Sequence, residues 1–239
     1  MITSGWRFRG SGGTLALHAH LEDPLSPDRR MTSHVRSVLA AVLAASAAVA
    51  CAPAATPDAA APAPPAVLPD LSPELAEVRT ALDRFRDPIV AVREGYFSTV
   101  GCIDFPGGVS EGESMNYRPG AMGVHFLNPA NIGPVLDPAK PQVLLYEYVG
   151  DSLHLTGAEW FMPVAVSATA PTIFGRTLDG PMEGHPPILP AELHHWDLHV
   201  WLWKDNPNGL FHATNSAVRC APGPYTFVED APKMVHMEH

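Results

Sequence analysis

From Tyr96 onward the sequence is interrupted every few residues by proline or glycine, and the stretches between these interruptions are short and apolar. Short apolar runs bounded by turn-forming residues are typical of β-strands. The clearest of these runs lie at 122–127, 142–148, 152–163 and 195–204. The sequence therefore predicts a mainly β domain, a small barrel or a sandwich, with "GDS" at 150–152 as a hairpin turn.

The residues just before this region carry helix signals. Ser72 is suited to cap a helix N-terminus, and Pro73 is suited to the first helical position. Apolar residues then recur at helical spacing from Leu75 onward. Because Pro88 interrupts this pattern, we predict an N-terminal helical segment of two short helices, the second ending at Gly95. We assign it a packing role.

The N-terminal part of the chain has the composition of targeting segments. Residues 1–30 resemble an upstream extension, and residues 31–51 resemble a signal peptide. Their apolar run, 38–50, follows Arg36 and is shorter than the roughly 18–20 residues that span a membrane. "AVAC" resembles a bacterial lipobox, which predicts that Cys51 becomes a lipidated N-terminus. Ordinary signal-peptidase cleavage nearby is the alternative.

An alanine- and proline-rich stretch, 52–70, follows and is predicted to be an extended linker. The folded unit is predicted at 71–228 as a single β-rich domain, with 229–239 as a flexible tail. We expect the protein in the periplasm or on the outer face of the cell envelope. The membrane would be its partner through the lipid on Cys51.

Two further cysteines, Cys102 and Cys220, form an even pair in a domain that we predict to be exported. Such pairs are usually disulfide-bonded. Two free, buried thiols are the alternative. Neither residue belongs to a CxxC or CxxxC pattern, so the sequence does not indicate a zinc site built from thiolates.

The chain is acidic and lacks the common catalytic fingerprints. It contains 25 acidic and 15 basic residues, for a formal net charge of −10. Without a basic run or stripe, the sequence argues against nucleic-acid binding. It contains no GxSxG, HExxH, Walker or dinucleotide-binding motif. A small-molecule ligand stays open as a partner.

Two carboxylates lie on strand faces that should point inward. Regular alternation places Glu159 on the same face as Leu155 and Phe161. It places Glu147 on the same face as Leu145. A buried carboxylate costs several kcal/mol unless it is paired, hydrogen-bonded or bound to a metal.

Histidines occupy comparable positions on the first and last of these strands. One face of the last strand carries His195, Asp197, His199, Trp201 and Trp203. Histidine and carboxylate ligands from separate strands are a common way to build a catalytic metal site. We predict a divalent-metal site for Zn, Cu, Mn or Fe, with four ligands: His125, Glu159, His195 and His199. Hydrogen-bonded core histidines are the alternative.

Other residues would complete such a site. Glu147 and Asp197 are candidates to orient the imidazoles, or to handle protons while the metal activates water or binds O2. Trp201 and Trp203 are candidates to wall a ligand pocket, with a sugar platform or core packing as alternatives. His185 is predicted to be a loop residue that could cap the pocket.

Three blocks carry a resemblance to a known group: "GAMGVHFLNP", "PQVLLYEYVGDSLHLTGAEWF" and "LHVWLWKDNPNGLFHATNSAVRC". They resemble a widespread group of bacterial secreted and lipid-anchored domains. The resemblance spans roughly 81–220 and implies an exported domain without implying an activity. A more distant functional analogy is to cupins, which hold His and Glu inside a small barrel, although the cupin spacing G-x5-H-x-H-x3–4-E is absent.

Two classes of function follow from these observations. The first is a metal-dependent hydrolase or oxygenase. The second is a non-catalytic protein, either a periplasmic binder of metal or small ligands or a structural module of the cell envelope. An open metal position facing a cleft would favour the enzyme.

Overall fold

The structure, a computed structural model, describes residues 68–107 and 115–237. The predicted upstream extension, the signal peptide with Cys51 and the linker as far as residue 67 lie outside the described residues. Among the described residues, no helix has both the length and the apolar character that crossing a membrane requires.

The fold is mainly β with an N-terminal helical segment, as predicted. Its helices and strands are α1 (Pro73–Leu82), α2 (Pro88–Arg93), β1 (Phe97–Phe105), β2 (Gly120–Leu127), β3 (Val143–Val149), β4 (Ser152–Pro163), β5 (Thr172–Ile173), β6 (Arg176–Thr177), β7 (Asp179–Met182), β8 (His195–Val200) and β9 (Thr226–Val228). Seven strands form one curled half-barrel sheet in the order β7-β8-β4-β3-β2-β1-β9, while β5 and β6 form a small second sheet. All pairings are antiparallel except that of β1 with β9.

The two predicted helices are present, and each begins at a capping side chain followed by proline. The Ser72 hydroxyl accepts a hydrogen bond from the first turn of α1, and the Asp87 carboxylate does the same for α2. Leu82 and Phe85 are buried in the core against the sheet. The helices therefore cover one face of the sheet, here called the helix face.

The opposite face, here called the cavity face, has a smaller apolar cluster that includes Val143, Leu145, Phe161 and Trp201. The β3–β4 hairpin brings Val143 beside Glu159 in the antiparallel ladder. Every candidate metal ligand described below lies on this side of the sheet or on a segment that covers it.

An irregularity in β4 interrupts the alternation of its side chains. Leu145 of β3 pairs with Gly157, but the next residue, Tyr146, pairs with Leu155. Thr156 is therefore an extra residue, and the strand contains a β-bulge at that position.

Because of the bulge, the side chains of β4 that share a face differ from those predicted. Leu155 packs in the core of the helix face, whereas Phe161 packs in the cavity-face cluster with Glu159 on the same side. The prediction that Leu155 shares a face with Glu159 is therefore wrong, because regular alternation does not hold across Thr156. The Thr156 carbonyl accepts a hydrogen bond of 3.0 Å from the Trp203 amide, which helps to fix the bulge.

The last of the predicted strands, β8, ends at Val200, earlier than predicted. Trp201 packs in the cavity-face cluster and donates its indole hydrogen bond to the His212 carbonyl at 2.7 Å. Trp203 packs in the helix-face core and donates to the Asp83 carboxylate at 3.1 Å. The two indoles therefore do not share a face, because the alternation stops with the strand.

Cys102 and Cys220 form the predicted disulfide, which joins β1 to the segment that leads into β9. The two cysteines are 118 residues apart in the sequence, and all the strands from β2 to β8 lie between them. The bond therefore closes most of the domain into one loop.

Two C-terminal segments are more ordered than predicted. The stretch 165–193, predicted as a long loop, contains β5, β6 and β7. The stretch 229–237, which the sequence assigns to a flexible tail, runs beside β7: the Val235 amide donates to the Pro181 carbonyl at 2.8 Å. Glu229 in this stretch is buried, so the domain extends beyond the predicted boundary at 228.

Candidate metal centre

Three of the four predicted ligands meet on the cavity face. His125 projects from β2, Glu159 from β4 and His199 from β8, and all three are buried. Glu159 Oε2 lies 3.8 Å from His125 Nε2 and 3.6 Å from His199 Nε2. One potential ligand atom from each residue lies within 4.8 Å of the other two. We call these residues the first cluster.

The spacing within the first cluster is too long for hydrogen bonds, which need about 2.7–3.2 Å between N and O. Glu159 Oε2, both ring nitrogens of His199 and His125 Nδ1 have no hydrogen-bond partner among the described residues. Two ligands bonded to one tetrahedral metal ion at about 2.0–2.1 Å are separated by about 3.4 Å. The observed separations are therefore close to those of ligands that share a metal ion.

The fourth predicted ligand, His195, belongs to a second cluster with His185 and Asp197. His195 and His199 are four residues apart on β8, which separates their Cα atoms by roughly 13 Å. His195 therefore does not reach the first cluster. Its Nε2 lies 3.2 Å from His185 Nε2 and 3.7 Å from Asp197 Oδ2.

Both rings of the second cluster are held through their other nitrogen. His195 Nδ1 lies 3.0 Å from the Leu193 carbonyl oxygen, and His185 Nδ1 contacts the carboxylate of Glu229. Histidines that bind metals usually donate their second ring N–H to such oxygens, which orients the ring. The second cluster therefore has the supporting contacts of a metal site.

Asp197, a member of the second cluster, also faces the first cluster. Its Oδ2 faces His195, while its Oδ1 lies 3.9 Å from His199 Nδ1. The side chain is buried and lines the same cavity as the first cluster. One carboxylate can therefore influence both groups of ligands.

Burial makes the first cluster neutral in the metal-free protein. Desolvation, aided by neighbouring histidines, lowers the pKa of His125 to about 3, and burial lowers that of His199 to about 4. Burial, together with the charges of Asp197 and Glu229, raises the pKa of Glu159 well above its usual range. The imidazoles are thus unprotonated, and their lone pairs are available to a cation.

The pKa values of Asp197 and His185, in the second cluster, shift in the opposite directions to those in the first cluster. Burial alone would raise the pKa of Asp197, but the neighbouring histidines, His195 above all, outweigh burial and lower it. Burial alone would lower the pKa of His185, but its contact with Glu229 outweighs burial and raises it. Asp197 is therefore the ionised carboxylate of the centre.

A cavity of about 180 Å³ opens beside both clusters. Side chains of the first cluster and Asp197, His185 and Glu229 line its polar side. Apolar side chains line the rest, among them Ile103, Met122, Ile132, Val143, Phe161 and Leu189. Among the described residues that line the cavity, none is a lysine or an arginine. The metal ligands would therefore face a small and mostly apolar space.

The structure places the other predicted site residues elsewhere. Both carboxylate oxygens of Glu147 lie 2.5 Å from Lys204 Nζ. Its Cα is four residues along β3 from Val143, a separation of roughly 13 Å, and Glu147 does not line the cavity. Trp201 and Trp203 are buried and do not line it either. Phe161 and aliphatic residues form the wall instead.

The sequence predicts no ligand role for His185 or Glu229. His185 was expected only to cap the pocket, and it does line the cavity. A Cβ on the preceding residue, Gly184, would lie 1.8 Å from the Pro190 carbonyl oxygen, so the loop requires glycine there. In the sequence, "GHPP" is therefore the only local indication that His185 belongs to the centre. The role of Glu229 can be recognised only from the fold.

Comparisons of the chain with protein-family models, with curated proteins and with solved structures returned no match. The resemblance to a group of bacterial secreted domains and the analogy to cupins stay predictions from the sequence. We therefore infer a function from the chemistry of the two clusters and the cavity.

Proposed function

We propose that the protein is an exported, metal-dependent hydrolase whose metal ion is held by His125, Glu159 and His199. One observation carries the proposal: Glu159 Oε2 and His199 Nε2 are buried without a hydrogen-bond partner and lie 3.6 Å apart, and His125 Nε2 lies 3.8 Å from the same oxygen. Leaving a buried polar atom without a partner costs about 1–3 kcal/mol. A metal ion among these atoms would satisfy them together.

The donor set narrows the choice of metal. Two imidazoles and one carboxylate are the protein ligands of several catalytic zinc sites and of non-haem iron oxygenases. The cluster offers neither thiolate nor thioether, the ligands that Cu(I) prefers. We therefore expect Zn, Mn or Fe rather than Cu(I).

A site with three protein ligands leaves room for a water molecule, and the adjoining cavity gives that position space for a substrate. This arrangement favours catalysis over a closed structural or storage site. A metal-bound water has its pKa lowered to about 7 and becomes a nucleophile at neutral pH.

Asp197 supports hydrolysis over oxygenation. It is ionised, it lines the cavity, and its Oδ1 lies 3.9 Å from the candidate ligand His199. From the cavity wall it can accept the proton of the attacking water. An oxygenase would not require such a base.

The cavity indicates the kind of substrate. Its volume of about 180 Å³ is below the roughly 300–1,000 Å³ of pockets for drug-sized ligands. Its walls are apolar, and no basic side chain lines it among the described residues. We therefore propose a small substrate with an apolar body and an uncharged ester or amide group.

Export and lipid attachment form the second part of the proposal. The apolar run 38–50 followed by Cys51 supports both. The Cys102–Cys220 disulfide is compatible with an oxidising compartment such as the periplasm.

The test is the metal content of the full chain, purified without a histidine tag and analysed by plasma mass spectrometry. His125→Ala and His199→Ala should each lower the content by about one equivalent and abolish hydrolysis of small aryl esters and anilides. His154→Ala, which alters an exposed histidine on the same strand as Glu159, should change neither. No metal after loading with Zn, Mn and Fe(II) in turn would overturn the proposal. Oxygen consumption by the iron form without hydrolysis would also contradict it.

A further inference from the structure

We propose that His185, His195 and Asp197 bind a second metal ion, and that Asp197 links it to the ion of the first cluster. Binding of this second ion does not depend on the proposed function. Its participation in hydrolysis does, because the first ion would have to hold the substrate or the attacking water.

Two ring nitrogens of the second cluster face each other. His185 Nε2 and His195 Nε2 are 3.2 Å apart, while the Nδ1 of each ring contacts an oxygen, of Glu229 and Leu193 respectively. When both Nδ1 atoms carry hydrogen, the two Nε2 lone pairs point at each other. Their repulsion requires a positive group between them, either a proton or a metal ion.

A third donor group favours the metal ion. Asp197 Oδ2 lies 3.7 Å from His195 Nε2 and supplies a donor from the side, which a proton shared by two nitrogens would not need. Two ligands of one tetrahedral ion at about 2.0–2.1 Å are separated by about 3.4 Å, close to the observed 3.2 Å between the nitrogens. His195 and Asp197 are almost fully buried, so their donor atoms are shielded from bulk solvent.

The fold holds the second cluster in place before any ion binds. The amides of Ile188 and Leu189 both donate to the His185 carbonyl at 2.9 Å, which closes the loop around this residue. The Glu229 amide donates to the Asp104 carbonyl at 3.0 Å, which ties the C-terminal segment to β1. His185 and Glu229 are therefore both on backbone that is fixed by hydrogen bonds.

Asp197 gives the second ion a role. Its two oxygens face His195 and His199, so that one carboxylate faces both clusters. Under the proposed function, the second ion would hold the Asp197 carboxylate beside His199, a ligand of the first ion, so that Asp197 would connect the two sites through the His199 ring.

Metal stoichiometry of four full chains tests the inference: the unaltered protein, His125→Ala, His185→Ala and the double variant. The expected contents are about two, one, one and zero equivalents of Zn or Mn. If His185→Ala keeps all the metal and His125→Ala loses it, the second site is wrong and the proposed function stands. If the only ion is lost in His185→Ala and kept in His125→Ala, the first cluster is wrong and the second site stands.

Two further measurements keep the inference testable if His185→Ala does not fold. Anomalous diffraction from crystals of the unaltered protein soaked in Zn or Mn should give a peak among His185, His195 and Asp197. A peak only at the first cluster would overturn the second site.

Glu229→Gln should weaken the binding of one of the two ions by about 10- to 100-fold and leave the binding of the other unchanged. Equal weakening of both would contradict a positioning role for Glu229, and His154→Ala is again the control.

Discussion

Glu159 and His199 are direct partners in the antiparallel ladder between β4 and β8, and their facing side-chain atoms, Oε2 and Nε2, are 3.6 Å apart without a hydrogen bond. Such a contact costs stability in the metal-free protein, because both groups are desolvated and neither is satisfied. Replacing a residue whose role is to bind metal should therefore stabilise the metal-free protein, whereas replacing a structural residue should not.

Glu159→Gln should raise the stability of the metal-free protein at pH 8 while it removes metal from the first cluster. The pKa of Glu159 is raised in the folded state, so the stability that its protonated form contributes is present below pH 4.5 and is lost as the pH rises. Glutamine does not ionise, and we expect a gain of about 1 kcal/mol, or about 2–4 °C in melting temperature. Thermal melts after chelator treatment measure it.

Glu77→Gln is the matched control for this substitution, because Glu77 is exposed on α1. It should change neither the melting temperature nor the metal content. A lower melting temperature for metal-free Glu159→Gln would indicate that Glu159 is a structural residue.

Acid should destabilise the metal-free protein through its buried histidines. The folded-state pKa values of His125 and His199 lie at about 3 and about 4, below the 6.5 of the unfolded chain. Their contribution to stability is therefore complete above pH 6.5 and is lost as the pH falls toward 4, by on the order of 1 kcal/mol per pH unit for each histidine. Urea unfolding between pH 4 and 6.5 measures the slope, and His199→Leu should reduce it. An unchanged slope in that variant would contradict the assignment.

Glu147→Gln should lower stability without changing the metal content. The Glu147 carboxylate is paired with Lys204 Nζ at 2.5 Å and lies away from the cavity. Its loss leaves a partly buried ammonium group unpaired, at a cost of about 1–2 kcal/mol. Adding Lys204→Met should recover part of that cost in a double-mutant cycle. Loss of metal in Glu147→Gln would return this residue to the centre.

Replacing both Cys102 and Cys220 by alanine should destabilise the domain by about 4–5 kcal/mol, because the disulfide closes a loop of more than one hundred residues. Urea unfolding of the variant and of the oxidised protein measures the difference. Since neither sulfur is a ligand, the folded variant should keep its metal. A difference near zero would mean that the unfolded chain gains little freedom when the bond is lost.

Cys51→Ser should move the protein from the membrane fraction to the soluble periplasmic fraction. Lipid attachment at Cys51 is predicted from "AVAC" at the end of a short apolar run. Fractionation of cells that express either chain, followed by immunoblotting, measures the distribution. An unchanged distribution would exclude Cys51 as the anchor.

The sequence predicted those features that depend on local pattern. The β3–β4 hairpin follows from two apolar runs around "GDS", and the two helices follow from Ser72 and from Pro88. His125, Glu159 and His199 were recognisable because each is a polar residue in an apolar strand.

The rest of the centre depends on contacts between distant segments. His195 was placed with His199 because they share a strand face, although roughly 13 Å of strand separates them. Its partner, His185, lies in a loop, and Glu229 follows β9. No spacing in the sequence reveals that these two residues meet, since their contact depends on how β7 and the C-terminal segment pack.

The β-bulge at Thr156 bears on how related chains could be recognised. The bulge accommodates an extra residue without changing the pairing of Glu159 with His199. Insertions and deletions in β4 between the hairpin turn and Thr156 therefore need not disturb the centre. A relative without the bulge would carry its glutamate one residue nearer to the position of Leu155. Alignments that search for this centre should therefore be anchored on the glutamate and β8, with a one-residue gap allowed before it.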